Sequence, residues 1–377
     1  MNKLILIIKS YLFLLLFSNA GMMAQSKNEI FMKEEQLTMT QEWDKTFPKS
    51  DKVKHCKVRF RNRFGITLVA DMYVPDGATE QLPAIAVSGP YGAVKEQASG
   101  LYAQHLAEQG YLTLAFDPSF TGESGGEPRY SSSMDINTED YGAAVDFLCC
   151  HKLVDANRIG ILGICGWGGI ALNAATLDTR VKATVCVTLY NMTRVTQQGY
   201  FDNMDENARH ELKQKLAHIR TEEFRNGEIK PQGGLPEYAP DDAPDFLKQY
   251  MAYYKSAERG YHPRSLNSNQ GWNITSSLML LNHNLWVAAS EIRTPVLIVH
   301  GEKAHSRYFG ENAFKVVTSG KYAANKQLLI VPGATHCDLY DGGNKNYIPW
   351  KDIVAFYDKG LGLSLIHISE PTRPRLI

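Results

Sequence analysis

R-I-G-I-L-G-I-C-G-W-G-G-I-A, residues 158–171, runs from a strand pattern into a helix pattern across a glycine-crowded turn with Cys165 at its apex. Ile159, Ile161 and Ile164 are β-branched and apolar, whereas I-A-L-N-A-A-T-L (170–177) forms helix readily and holds neither Gly nor Pro. A sharp strand-to-helix turn needs small residues because its backbone is tightly bent and lies close to its neighbours. It also presents its apical side chain at a helix N-terminus, where free N–H groups and the helix dipole favour a thiolate. We therefore read Cys165 as a nucleophile. Two rival readings exist: a dinucleotide-binding turn, because G-W-G-G-I-A (166–171) matches G-x-G-x-x-A, and a free cysteine buried as a small hydrophobe. The acidic residue that a dinucleotide turn wants about 20 positions on is absent from residues 181–190.

The 377 residues, 44% of them hydrophobic, suffice for one α/β domain with an insertion. Forty basic and forty acidic residues leave no net charge, which argues against a general binder of nucleic acid or anionic membranes. Residues 1–24 read as a secretory signal, with Lys3 and Lys9 ahead of a short apolar run and small residues at Ala20 and Ala24, so the protein is expected to be exported. That run is too short to span a bilayer, and no membrane span is expected after cleavage. L-S-L-I-H-I-S-E-P-T-R (363–373) looks like a translated sequencing adapter, and residues 363–377 are set aside as a scar. Six cysteines show no compact disulfide framework, though Cys337 lies one residue from a candidate catalytic histidine.

Between a lead-in at 25–51 and the scar, the pattern divides into a core at 52–193, an insertion at 194–293 and a second core part at 294–362. In the first part a hairpin (52–60 and 66–74), strands at 83–88 and 111–116, helices at 95–109 and from an Asn137 cap, and a strand at 181–188 alternate as in a doubly wound, mostly parallel sheet. The insertion instead places Leu212, Leu216 and Ile219 on one helix face and Phe246, Tyr250, Tyr253 and Tyr254 on another, which predicts a helical lid whose aromatics shape a pocket. Strands at 294–300 and 327–331 and a final helix from Pro349 resume the core.

A second motif, G-E-S-G-G (122–126), matches G-x-S-x-G around Ser124, yet seven residues separate it from its strand and E-P-R follows where a helix should start. We assign it to a loop near the site. Acyl transfer through Cys165 needs a base, an acid that orients the base and donors for an oxyanion. His336, in G-A-T-H-C-D (333–338) five residues past a buried strand, fits the base; His300 and His305 are rivals. The donors fall to the N–H of Gly166 and that of Tyr91 or Gly92, because Pro90 has none. Absence of H-E-x-x-H, of a P-loop and of metal-ligand Cys/His spacing leads us to expect no cofactor or metal.

With G-P-Y-G-A-V-K-E-Q (89–97), F-D-P-S-F-T-G-E-S-G-G (116–126), G-I-C-G-W-G-G (163–169) and P-G-A-T-H (332–336), the chain resembles the dienelactone hydrolase-like branch of the α/β-hydrolase superfamily over about 52–362. The resemblance implies cleavage of carboxylic or thio-esters of a small molecule by Cys165 with His336 as base. Two positions depart from it: Trp167 stands where the turn usually has glycine, and Ala304 where the acid usually stands. Glu302 is then the expected acid and Asp338 its rival. Two further readings stay open, a catalytically impaired relative that binds an acyl or carbohydrate ligand and a dinucleotide-dependent oxidoreductase.

Overall fold

The computed structural model describes residues 37–362, so the expected signal at 1–24 and scar at 363–377 lie outside the described residues. An eight-stranded sheet organises the chain, in the order β1-β2-β4-β3-β5-β6-β7-β8. Its strands are β1 Val53–Arg61, β2 Thr67–Pro75, β3 Leu82–Ser88, β4 Leu112–Phe116, β5 Val154–Ile164, β6 Val181–Val187, β7 Val296–Gly301 and β8 Lys326–Val331. β1 and β2 form the antiparallel hairpin read from the sequence and β2 joins β4 antiparallel; every other pairing is parallel. Parallel strands covered on both faces must be apolar throughout, and β4 and the inner half of β5 are buried at every residue.

Helices α1 Ala98–Glu108, α2 Met134–Cys150 and α3 Gly166–Leu177 occupy the crossovers of the first core part. α2 starts three residues before the expected Asn137 cap: Asn137 lies inside its first turn, and its Oδ1 reaches back to accept from the Ser133 N–H and the Ser132 hydroxyl. The segment between β6 and β7 is largely helical, with α4 Met192–Gln198, α5 Glu206–Asn226, α6 Asp245–Tyr254 and α7 Ser277–Leu281. Leu216 and Ile219 are the buried residues of α5, while Met251, Tyr253 and Tyr254 are those of α6. After β7 come α8 Arg307–Val317 and, past β8, α9 Asp338–Asp341 and α10 Trp350–Leu361, the last closed by Gly362 at φ 66°. Two tyrosines fasten helices to the central strand: Tyr141 of α2 donates to the Leu162 carbonyl at 2.9 Å and Tyr357 of α10 to that of Ile161 at 2.7 Å. No helix among the described residues is long and apolar enough to cross a membrane.

Candidate active site

Cys165 joins β5 to α3 at φ 58°, ψ −126°, a sparsely populated conformation that costs a non-glycine residue about 1–3 kcal/mol. The surroundings impose it. Its N–H donates to the Val187 carbonyl, and its own carbonyl accepts from the N–H groups of Gly168 and Tyr190, all at 2.9 Å. A Cβ on Gly163 would stand 2.1 Å from the Trp167 carbonyl oxygen, and one on Gly169 2.0 Å from that of Tyr190, which is why glycines crowd the turn. Trp167 is compatible with the bend because its indole leaves the turn and packs on Phe116 and Tyr141, with ring centroids 5.9 and 5.7 Å away. Of the glycines in the G-x-G-x-x-A pattern, Gly166 faces the Tyr91 and Met192 side chains and Gly168 the Leu189 side chain and the Gly163 carbonyl.

At 6% exposure the Cys165 thiol is nearly out of water. Burial pushes its pKa up; hydrogen bonding from the Tyr340 hydroxyl, from the N–H groups of Gly166 and Tyr91 and from the Tyr250 hydroxyl opposes this without reversing it. Burial thus works against the thiolate that a helix N-terminus is expected to favour. Cys56 and Cys150 are the exposed thiols.

His336 follows β8, and it is fully buried. Its Nδ1 meets the Thr188 hydroxyl at 2.7 Å and the Ser306 hydroxyl at 2.5 Å, and its Nε2 meets the Tyr340 hydroxyl at 2.9 Å. Burial lowers its pKa well below that of an ordinary histidine, and His305 and His300 add to the effect. The structure does not bring Glu302 to the imidazole: that residue is exposed and its Oε2 accepts from the Gly333 N–H at 2.7 Å. Asp338 does not reach it either, since its Oδ2 is held by the Thr335 N–H and hydroxyl at 2.8 and 2.7 Å, a local cap at the start of α9. Ser306 and Thr188 stand where the reaction template would place a carboxylate. Glu302→Gln is accordingly expected to leave kcat within about threefold of the parent, because exposed side chains remote from the chemistry act weakly; a hundredfold loss in steady-state assays would restore Glu302 as the acid.

The other histidines are structural neighbours. Burial takes His300 down to about 3, with its Nε2 donating to the Leu189 carbonyl at 3.2 Å, and takes His305 down to about 4. His305 stacks on Phe246 at 4.5 Å and bonds the Tyr190 hydroxyl. The Tyr91 loop is pinned on both sides: its carbonyl accepts from Asn267 Nδ2 at 2.8 Å and its ring stacks on Trp272 at 4.1 Å, while its N–H helps to lower the thiol pKa against burial. Gly92 turns the same loop at φ 88°, and its carbonyl accepts from the Leu266 N–H at 2.8 Å.

Ser124 is not free to react. Its buried hydroxyl donates to the Asp117 carbonyl at 2.7 Å and accepts from the Val69 N–H at 2.9 Å. Two of the quoted motifs meet in a buried ionic cluster instead. Lys95 Nζ donates to Glu96 at 2.6 Å, Asp117 at 2.9 Å and Glu123 at 2.7 Å. Lys57 and Arg264 complete it, at 2.6 Å from Glu123 and 2.8 Å from Glu96. Glu96, Asp117 and Glu123 are close enough together to hold a cation, and the Lys95 ammonium already supplies that charge. The cluster sits directly after the Tyr91 loop in sequence and ties it to the segment following β4.

A cavity of about 230 Å³ opens onto Cys165, lined in part by Met192, Tyr200, Leu235, Phe246 and Tyr250 of the β6–β7 segment. Among the described residues no charged side chain lines it. Tyr340, Ser306 and Thr188 escaped the sequence reading. Only Tyr340 lies near His336 in sequence, four residues after it and inside α9, which His336 precedes.

Residues 65–337 match the family described as X-Pro dipeptidyl-peptidase (S15 family). The chain belongs to this family of hydrolases. PA2218 of Pseudomonas aeruginosa, an uncharacterized protein, is 50% identical over 328 residues, 86% of each chain. Its crystal structure superposes with a TM-score of 0.83 at 49% identity, covering 87% of this chain and all of that one. The α/β-hydrolase GrgF from Penicillium shares the fold, with a TM-score of 0.66 at 23% identity over 82% of this chain and 99% of that one. The thiohydrolase aneE of Aspergillus aculeatus is 32% identical over 133 residues, 35% of this S15 member and 41% of its own length.

Proposed function

We propose that this S15-family protein hydrolyses carboxylic or thio-esters of a compact, uncharged acyl group through an acyl intermediate on Cys165. The carrying observation is the strained Cys165, which opens on a cavity shared with Tyr340, whose hydroxyl meets His336 Nε2 at 2.9 Å; the N–H groups of Gly166 and Tyr91 oppose the effect of burial on the thiol. His336 acts as base and later as acid, and the N–H groups of Gly166 and Tyr91 receive the oxyanion. A cavity of about 230 Å³ with no ionised lining favours a short or aromatic acyl group and disfavours a carboxylate or ammonium, which would be buried without a partner. For the same reason the peptide activity in the family's name is not proposed here: a dipeptidyl substrate brings an α-ammonium, and the cavity offers it no carboxylate. The resemblance to dienelactone hydrolases and to a thiohydrolase supports the ester and thioester chemistry, and export is part of the same reading.

A second reading draws on the missing carboxylate at His336 Nδ1: an impaired hydrolase fold that binds an acyl ligand without turnover. Assays with p-nitrophenyl esters and acyl thioesters of graded length, joined to intact-protein mass spectrometry, separate the two. We expect turnover of short and aryl acyl groups, exclusion of succinyl esters and a transient acyl adduct on Cys165. Binding without product or adduct supports the second reading; neither binding nor turnover across the panel removes both.

A further inference from the structure

We propose that the Tyr340 hydroxyl carries the proton between Cys165 and His336. The inference rests on the assignment of those two residues as nucleophile and base, and adds a member that the common triad lacks. Both imidazole nitrogens are engaged: Nδ1 by Thr188 and Ser306 at 2.7 and 2.5 Å, Nε2 by Tyr340 at 2.9 Å. Tyr340 and Cys165 line the same cavity, and the Tyr340 hydroxyl is the foremost hydrogen-bonding influence opposing burial at the thiol, so the hydroxyl that meets His336 also acts on Cys165. Position explains why this residue does so. Tyr340 is completely buried on the one-turn helix α9, four residues after His336, and its ring packs against Tyr253 at 5.0 Å, which fixes the hydroxyl.

The tautomer follows from the task. With the Nδ1 proton donated to the Ser306 and Thr188 oxygens, the lone pair of Nε2 accepts from Tyr340, and the Tyr340 oxygen can accept from the thiol. In acylation the S–H bond breaks, its proton passes to the Tyr340 oxygen, and the proton already on Tyr340 passes to Nε2. The sulfur electron pair forms the C–S bond with the ester carbonyl carbon, and the carbonyl oxygen becomes the oxyanion. Collapse breaks the C–O bond of an ester, or the C–S bond of a thioester, and the leaving group takes the proton back from Nε2 through Tyr340. Water then attacks the acyl carbon, giving its proton to His336 by the same path, and the restored proton goes to the departing sulfur. Tyr340 is never a free phenolate in this scheme, consistent with its burial.

Tyr340→Phe tests the relay. General acid–base assistance is worth roughly 10²–10⁴-fold, so kcat for a p-nitrophenyl ester should fall by about 10²-fold or more with KM within about threefold. The remaining rate should rise tenfold per pH unit as hydroxide forms the thiolate. A Tyr340→Phe enzyme with kcat within threefold of the parent, or one altered in KM alone, overturns the relay and leaves Tyr340 a wall of the cavity. Should that variant not fold, the proton inventory of the parent enzyme in H₂O–D₂O mixtures decides: a curved dependence indicates two protons in flight, and a strictly linear one overturns the proposal. His336→Ala separates the layers of the argument. An inactive His336→Ala beside a fully active Tyr340→Phe refutes the relay alone, whereas a fully active His336→Ala refutes the base assignment beneath it.

Discussion

Cys165→Ala is expected to lower kcat toward p-nitrophenyl esters by on the order of 10⁴-fold or more, since removing a nucleophile removes the covalent route altogether. The fold should survive. The conformation at φ 58° is held by three backbone hydrogen bonds that do not involve the thiol, so alanine inherits the strain and adds little. Ser124→Ala supplies the contrast. Its hydroxyl satisfies the buried Val69 N–H and caps the Asp117 carbonyl, so its loss should cost about 1–3 kcal/mol of stability while kcat stays near the parent value. Steady-state kinetics and thermal melts of the two variants read this directly. An active Cys165→Ala enzyme with an inactive Ser124→Ala would falsify the choice of nucleophile.

The second large effect is on stability. Lys95→Met is expected to destabilise the protein by about 3–5 kcal/mol, the range seen when one partner is removed from a buried ionic group. Burial by itself disfavours the Lys95 charge, yet Asp117 and Glu96, with Asp71 and Glu123, raise its pKa well above the ordinary value. Without the ammonium, Glu96, Asp117 and Glu123 are left with oxygens within 4.8 Å of one another, out of water, and with Lys57 and Arg264 as their nearest remaining cations. Methionine fills the volume of the aliphatic stem, so the loss is one of charge rather than packing. A thermal melt at neutral pH checks the size of the effect, and an unchanged midpoint would show the cluster to be energetically neutral.

Much of the scaffold was legible because its signals are local. The β-branched runs that became β3, β5, β6 and β7 are buried strands of a parallel sheet, and the glycines around Cys165 mark a bend that only small neighbours permit. The departure at Trp167 was readable as an anomaly but not as its resolution, which depends on a slot between Phe116 and Tyr141 from two other elements. The partners of His336 were hidden for a related reason. Thr188 precedes it by 148 positions and Ser306 by 30, and neither carries a pattern that distinguishes it from any other buried hydroxyl. Glu302 carries the charge that reaction chemistry usually supplies near such a histidine, yet its carboxylate is taken up by the Gly333 N–H. The charged residues of the motifs at 89–97 and 116–126 build the support under the Tyr91 loop, a role that neither motif displays in sequence.

The pairing of a buried thiol with a histidine that has only hydroxyl neighbours bears on how the protein behaves between encounters with substrate. Peroxides attack thiolates, and the first oxidation product, a sulfenic acid, forms fastest at exposed sulfur of low pKa. Cys165 has neither property: burial raises its pKa, and no permanent imidazolium stands beside it to hold the anion. In the proposed mechanism the sulfur rests as a neutral thiol and loses its proton as it attacks the ester carbonyl carbon. Under that mechanism reactivity is conferred by occupancy, and an empty cavity would be a chemically quiet one.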